Sequence, residues 1–90
     1  MSEVTHTVLI TNKRGLHARA SAKFVTLASS QSCEVQVRKD DGAVTGTSIM
    51  GLMMLGAAMG DAITISAAGD GAEAAVSALV ELVEAKFGED

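Results

Sequence analysis

A histidine at the start of a helix is the residue of this sequence best suited to chemistry. His17 lies between a loop at residues 12–15 and a predicted helix that begins at Ala18. That position usually holds Ser, Thr, Asp or Asn, whose side-chain oxygen accepts a hydrogen bond from the first-turn amides. Because no such residue stands there, the N–H groups of Ala18, Arg19 and Ala20 are predicted to be free to bind an anion at the positive end of the helix dipole.

Arg19 adds a second phosphate-binding group beside the histidine. Its guanidinium can bind a phosphate through two parallel hydrogen bonds. Nearby positive charge also disfavours the imidazolium ion, so the ring of His17 is expected to be neutral and nucleophilic. A neutral imidazole, an anion-binding helix end and an arginine together predict a site where histidine attacks a phosphoryl group. The alternative is a surface histidine that happens to precede a helix.

A short apolar segment in the second half of the chain predicts an interface. A helix is predicted at residues 48–55, with Thr47 or Ser48 as its N-cap. A helix of a two-layer domain buries one stripe, and the residues predicted to form it are Ile49, Leu52 and Leu55. The residues expected to reach the surface are drawn from Met50, Met53 and Met54. Exposed methionines adapt to different partner surfaces, so this helix is predicted to dock other proteins. The alternative is a helix buried on both sides.

Other chemistries find little support in the sequence. His6 lies in a predicted strand and Cys33 is the single thiol, so no metal-ligand spacing is present and neither a metal nor a cofactor is expected. The aspartates at 40, 41, 61 and 70 fall in predicted turns, which argues against a Ser-His-Asp set. No phosphate-binding loop of the G-x-x-x-x-G-K-[ST] type occurs.

The hydrophobic pattern predicts seven elements that position these residues. Strands are predicted at 4–11, 33–38, 43–45 and 62–68, and helices at 18–30, 48–55 and 72–87. In the last helix, Val76, Leu79, Val83 and Phe87 recur on one face. Four mostly amphipathic strands with helices on one face predict a two-layer α+β fold in a single domain spanning residues 1–90.

Composition narrows the class of protein. The chain is 48% hydrophobic, carries a net charge of -4 and contains two phenylalanines but no tryptophan or tyrosine. Few aromatic side chains and net negative charge disfavour nucleic-acid binding. The longest apolar run, at residues 49–60, is too short to insert across a membrane. One cysteine and no signal-peptide pattern favour a cytoplasmic protein.

The charges are unevenly distributed along the chain. Residues 1–33 carry four basic side chains and one acidic one, a net of +3, whereas residues 34–90 carry three basic and ten acidic ones, a net of -7. An acidic protein with one basic zone is predicted to present that zone to an anion or an acidic partner.

Three segments together resemble a known family. ITNKRGLHARASAKF, TSIMGLMMLG and GDAITISAAG resemble the HPr family of phosphocarrier proteins of the bacterial phosphoenolpyruvate-dependent phosphotransferase system (PTS). The NKxG, VRKDDG and FGED stretches are similar to the nitrogen-branch paralogue, NPr. The resemblance implies an open-faced β-sandwich, with an antiparallel sheet in the order 1-4-2-3 and three helices on one face. The element order alone would equally suit a ferredoxin-like fold.

The resemblance also implies roles for individual residues. His17 matches the histidine that is phosphorylated on Nδ1 by enzyme I and that passes the phosphoryl group to enzyme IIA proteins. Arg19 matches the arginine that assists at the phosphate, and Ser48 matches a serine that a dedicated HPr kinase phosphorylates in some lineages. The residues expected to dock partners are Lys23, Ile49, Met50 and Met53. Such a carrier is expected to act as a monomer and not as an enzyme with turnover.

One position departs from the family pattern. The usual motif continues GLHARPA, and Ala20 stands here in place of the proline. Proline suits the first turn of a helix because it fixes φ and lacks an N–H that would go unpaired. Two other readings stay open at this point: a regulatory binding module controlled by phosphorylation of Ser48, and a ferredoxin-like RNA-binding protein.

Overall fold

Alternating β-branched residues form an antiparallel sheet. In the computed structural model, which describes residues 3–89, the elements in chain order are β1 (Glu3–Leu9), α1 (Ala18–Ser29), β2 (Val35–Lys39), β3 (Gly42–Thr45), α2 (Ile49–Met54), β4 (Ala62–Ala68), α3 (Ala72–Glu84) and a 3₁₀ turn (Lys86–Gly88). The sheet order is β1-β4-β2-β3, and all three pairings are antiparallel. The predicted fold and strand order are therefore confirmed.

The core lies between the sheet and the helices. On β4, Ile63, Ile65 and Ala67 are buried and alternate with more exposed residues, as expected when only one face of a sheet is covered. Val35 and Val37 of β2 are likewise buried. The helix residues that pack into this core are Ala20, Phe24 and Ala28 of α1 and Val76, Leu79 and Val83 of α3.

The first strand is shorter than its sequence pattern predicts. It ends at Leu9 rather than at residue 11, but Ile10 continues to bond to the two residues that directly precede β4. Its N–H donates to the Asp61 carbonyl, and its carbonyl accepts from the Gly60 N–H, both at 2.8 Å. The chain that leads toward His17 is therefore fixed up to residue 10.

The last helix ends three residues earlier than predicted. It stops at Glu84, and both Lys86 and Phe87 adopt left-handed φ angles, of 58° and 56°. The prediction was wrong here. Phe87 follows Val83 at helical spacing and is buried, so the pattern resembles that of a longer helix. The chain buries the ring by turning back instead, which directs the C-terminal residues toward α1.

Candidate functional site

His17 is the N-cap residue of α1. Its backbone is extended, its carbonyl accepts from the Ser21 N–H at 2.9 Å, and its side chain does not cap the helix. Within residues 3–89, no hydrogen-bond acceptor faces the amides of Ala18, Arg19 and Ala20. The helix therefore begins with unpaired N–H groups, as its sequence predicts, and these can bind an anion.

The loop before His17 is held in place by contacts with the segment that follows α2. Gly15 has a φ of 62°, and a Cβ at this position would collide with the Ala57 carbonyl, so the residue must be glycine here. The Leu16 N–H donates to the same Ala57 carbonyl at 2.9 Å, and the Ser21 hydroxyl donates to the Leu16 carbonyl at 3.1 Å. These contacts fix the backbone on both sides of His17 and join the loop to the segment that follows α2.

The ring of His17 is bound by a carboxylate from the other end of the chain. His17 Nε2 lies 2.9 Å from Glu89 Oε1 and 3.0 Å from Glu89 Oε2. Asn12 Nδ2 donates to the same Oε1 at 2.8 Å and to the Gly15 carbonyl at 2.9 Å. Both atoms near Nδ2 are acceptors, which fixes the orientation of the buried Asn12 amide. None of the described residues hydrogen-bonds His17 Nδ1.

The same contacts favour the ionised form of Glu89. The hydrogen bond from Asn12, together with the bond and the charge of His17 and the more distant charge of Lys23, holds the pKa of Glu89 below its ordinary value of 4.5. An ionised carboxylate only accepts hydrogen bonds, so His17 Nε2 must carry the proton that lies between the two groups.

Two basic side chains of α1 take different positions. Arg19 is exposed in the first turn, and no ion pair joins it to any described acid. Lys23 donates from Nζ to the Phe87 carbonyl at 2.7 Å, so it contacts the C-terminal segment. Both residues line a shallow, largely apolar groove of about 540 Å³ beside Leu27 and Leu82.

Ser48 is the N-cap of α2. Its Oγ accepts from the Gly51 N–H at 2.9 Å, in the manner expected of a capping serine. Of the three residues predicted to be buried, Leu52 is buried and Leu55 is partly buried. Ile49 is 41% exposed, so its prediction was wrong. A helix of six residues exposes most of its surface, and Leu52 alone anchors it in the core.

The surface around α2 is rich in methionine. Met50 is 69% exposed and Met54 is 80% exposed, and Met53 and Met59 are also exposed. We call Ile49, Met50, Met53, Met54 and Met59 the methionine patch. An exposed apolar group of this kind is typical of an interaction surface.

The remaining candidate residues lie elsewhere. His6 is on β1 opposite Ile65 and borders a second groove with Glu73 of α3, and Cys33 is a partly buried free thiol. Among residues 3–89, no three His, Cys, Asp or Glu side chains gather as metal ligands. No helix of the described chain is both long and apolar enough to cross a membrane.

Comparison with known proteins identifies the family. A family model described as "PTS HPr component phosphorylation site" matches residues 4–85. The chain belongs to the HPr family of phosphocarrier proteins. This HPr-family chain therefore serves as a phosphocarrier of the phosphotransferase system.

Individual relatives agree with this identification. Phosphocarrier protein HPr of Neisseria meningitidis serogroup A is 51% identical over 80 residues, which cover 89% of this chain and 90% of that protein. Phosphocarrier protein NPr of Shewanella violacea is 40% identical over 89 residues, or 99% and 98% of the two chains. The crystal structure of HPr-C-His from Thermoanaerobacter tengcongensis superposes with a TM-score of 0.90 at 50% identity, covering 100% and 99%.

Sequence reasoning missed Glu89 and Asn12. Glu89 shares no motif with His17, because 72 residues separate them. Asn12 stands in the ITNKRGLHARASAKF segment with His17, but the hydrogen bond that gives it a role in the site, to Glu89, spans 77 residues. The one available signal was the acidic FGED ending directly after a helix with a buried face. That ending was interpreted as a feature of the paralogue and not as part of the site.

Proposed function

We propose that His17 is the phosphoryl acceptor and donor, taking the group from enzyme I and passing it to enzyme IIA proteins. One observation carries this proposal: His17 directly precedes a helix whose first amides are unpaired, while a carboxylate binds its Nε2 and no described residue bonds its Nδ1. Nδ1 is then the nitrogen with a lone pair, beside donors suited to an anion.

The phosphate is stabilised by two kinds of donor. The backbone N–H groups of Ala18, Arg19 and Ala20 supply fixed dipoles at the helix start. The guanidinium of Arg19 is exposed in the same turn and is not held by any described acid, so it is free to turn toward the phosphoryl oxygens. Neither kind of donor requires a metal or a cofactor.

Partner proteins dock on the surface around His17 and α2. Ile49, Met50 and Met53 supply adaptable apolar contact, and Arg19 and Lys23 of α1 supply positive charge. Enzyme I and the enzyme IIA proteins are accordingly expected to present acidic rims around an apolar centre. Transfer needs a partner at every step, so the protein is a covalently modified carrier and not an enzyme with turnover.

Ser48 is the proposed regulatory position, modified by an HPr kinase where one is present. Phosphorylation there adds about -1.5 to -2 charges at neutral pH. At a helix start this charge is compatible with the fold, but it lies next to Ile49 and Met50, which are exposed. Docking would have to desolvate it, and acidic partners would be repelled.

The proposed setting is the cytoplasm, where a monomer exchanges phosphoryl groups with protein partners, without nucleic acid or membrane insertion. An HPr from Thermoanaerobacter tengcongensis has a crystal structure as a dimer, so the oligomeric state of this chain distinguishes a monomeric carrier from a dimeric one. Gel filtration at micromolar concentration, with light scattering, gives it directly, and a mass near 9.2 kDa is expected.

The deciding experiment is labelling by phosphoenolpyruvate and enzyme I. The parent and His6→Ala should acquire an acid-labile, alkali-stable phosphoamidate, and His17→Ala should not. Equal labelling of the His6→Ala and His17→Ala variants would refute the assignment. Absence of label in all three proteins would favour the second candidate, a regulatory module that binds partners through Ser48 and the methionine patch.

A further inference from the structure

The contact between Glu89 and His17 has the geometry of a residue that orients a nucleophile. Both carboxylate oxygens lie within 3.0 Å of Nε2, on the opposite side of the ring from the nitrogen that has no described partner. We propose that Glu89, held in place by Asn12, is a positioning residue that fixes the ring and its tautomer so that Nδ1 attacks phosphorus. This inference rests on the proposed role of His17.

The tautomer follows from what a carboxylate can accept. An ionised carboxylate has no proton to donate, so the hydrogen bond forms only when Nε2 carries the hydrogen. A neutral imidazole has one N–H, and its other nitrogen then holds a lone pair. Glu89 therefore favours the form of His17 in which Nδ1 is the nucleophile.

The same carboxylate stabilises the positive charge that the His17 ring gains during phosphoryl transfer. The Nδ1 lone pair forms the N–P bond while the bond between phosphorus and the donor breaks, and that electron pair leaves with the donor. The ring of His17 thereby gains positive charge, with its Nε2 proton still in place. A fixed negative charge 2.9 Å from Nε2 stabilises that charge without itself taking the proton, as the aspartate of a Ser-His-Asp triad does.

Asn12 holds the Glu89 carboxylate in a fixed position. Its amide is buried and spans two acceptors, the Gly15 carbonyl at 2.9 Å and Glu89 Oε1 at 2.8 Å. The Gly15 carbonyl belongs to the loop that directly precedes His17. Asn12 therefore connects the Glu89 carboxylate to the same stretch of backbone that carries the His17 ring. Asn12 Oδ1 is buried with no partner among the described residues. The amide is thus oriented for its two donor bonds at a cost to its acceptor, which is unusual for a residue that only fills space.

The C-terminal segment brings Glu89 to this position. The buried Phe87 ring and the bond from Lys23 Nζ to the Phe87 carbonyl hold the chain two residues before Glu89. The described groups that act on the carboxylate are therefore Asn12 from the loop, His17 at the start of α1 and Lys23 within α1. Two of these are cationic or can become so, and none is acidic.

The test combines the ring tautomer with the transfer rate. Long-range ¹H–¹⁵N spectra at pH 8, where histidine is ordinarily neutral, report which ring nitrogen carries the proton. We expect almost pure Nε2–H in the parent and in the control Glu84→Gln, which removes an exposed carboxylate from the end of α3. In Glu89→Gln the amide can donate to Nε2, so a substantial fraction of Nδ1–H should appear. In Glu89→Ala the preference should weaken.

The transfer rate from enzyme I should fall in parallel. We expect Glu89→Gln to be phosphorylated roughly ten- to a hundredfold more slowly, the range that corresponds to one hydrogen bond to a charged group. Glu84→Gln should react at the parent rate. The inference is overturned if the tautomer is unchanged, or if either Glu89 variant is phosphorylated as fast as the parent, whatever the melting temperatures are. A slower rate with an unchanged tautomer would likewise overturn it, because Glu89 would then only hold the C-terminal segment in place.

The outcomes separate this inference from the proposed function. If the parent itself acquires no phosphoryl group on His17, the proposed function fails, and the tautomer spectra still test the geometric part of the inference. If the parent is labelled and both Glu89 variants match it in rate and tautomer, the inference alone fails.

Discussion

Lys23 Nζ donates to the Phe87 carbonyl at 2.7 Å and so ties the C-terminal segment to the helix that follows His17. The acceptor belongs to a residue with a left-handed φ of 56°, a conformation that costs an L-residue energy and persists only where surrounding contacts hold it. The buried Phe87 ring and this hydrogen bond are those contacts. Lys23 therefore acts on the site from a distance, through the position of Glu89.

Replacing Lys23 tests this link. Lys23→Met keeps the aliphatic stem but removes the donor, and we expect it to lower the free energy of unfolding by about 1 kcal/mol, the typical net value of one hydrogen bond. Amide exchange of residues 87–89 should become faster. Lys13→Met is the matched control, because Lys13 is exposed and bonds to no described residue. Equal effects of the two substitutions would mean that Lys23 does not hold the segment.

Stability should depend on pH through Glu89. The hydrogen bonds from Asn12 and His17 lower its pKa from 4.5, so the unfolded chain takes up a proton at higher pH than the folded protein does. Its contacts therefore stabilise the fold above pH 4.5, and this contribution is lost as the pH falls below 4.5 and through the lowered pKa. Among the described residues, the titratable groups that act on it are His17, which precedes α1, and Lys23 of α1.

A pair of denaturation curves checks this dependence. The parent should be more stable than Glu89→Gln near pH 7, and the difference should shrink toward pH 3. The difference between the parent and Glu84→Gln, which changes a carboxylate that bonds to no described residue, should show no such trend. A gap between the parent and Glu89→Gln that stays constant with pH would contradict the assignment.

Local patterns predicted the elements and the start of α1, but not the completed site. The alternation of β4 and the stripe of α1 lie within short windows, and the lack of a cap before Ala18 can be seen in the sequence alone. Glu89 meets His17 only because the chain leaves α3 at Ala85 and turns back. Helical spacing cannot predict that turn, because Phe87 would be buried both in a helix that continued to residue 87 and in a chain that turns back after Ala85. Ile49 was assigned to the core for a similar reason, because periodicity does not limit how much of a six-residue helix is covered.

Ser48 caps α2 and is also the proposed regulatory position, and substitutions can separate the two roles. Ser48→Ala removes the acceptor for the Gly51 N–H and should cost about 0.5–2 kcal/mol of stability. Ser48→Asp supplies another good cap and should leave the melting temperature close to that of the parent. It should nevertheless slow phosphorylation of His17 by enzyme I, because its charge lies beside Ile49 and Met50. High salt should relieve only the repulsive part of this loss, and a Ser48→Asp rate equal to that of the parent would exclude this helix end from the enzyme I footprint.

Arg19 should affect transfer more than binding. Arg19→Ala is expected to slow phosphorylation roughly tenfold, the equivalent of one charge-assisted hydrogen bond of about 1.5 kcal/mol. Arg19→Lys should recover only part of the rate, because lysine lacks the planar pair of donors. Stability should hardly change, since Arg19 is exposed and pairs with no described acid. Rapid-mixing phosphorylation and equilibrium binding to enzyme I separate the two effects, and a parent rate in Arg19→Ala would refute the role at the phosphate.

Ala20 occupies the position where the family pattern has proline, and restoring the proline tests how the helix start is used. Ala20 is the third residue of α1, and no described residue accepts a hydrogen bond from its N–H. Proline there loses no internal hydrogen bond and restricts the unfolded chain, so Ala20→Pro should raise the free energy of unfolding by about 0.4–1 kcal/mol. Ala22→Pro is the control: its N–H lies in the helix interior, and the substitution should cost about 3 kcal/mol or more. Phosphorylation of Ala20→Pro should slow only slightly, because the substitution removes one of the three proposed amide donors while Ala18 and Arg19 keep theirs. A large loss of rate with intact stability would instead make the Ala20 N–H the principal phosphate donor of the three, and a loss of stability would mean that the buried site cannot hold the proline ring.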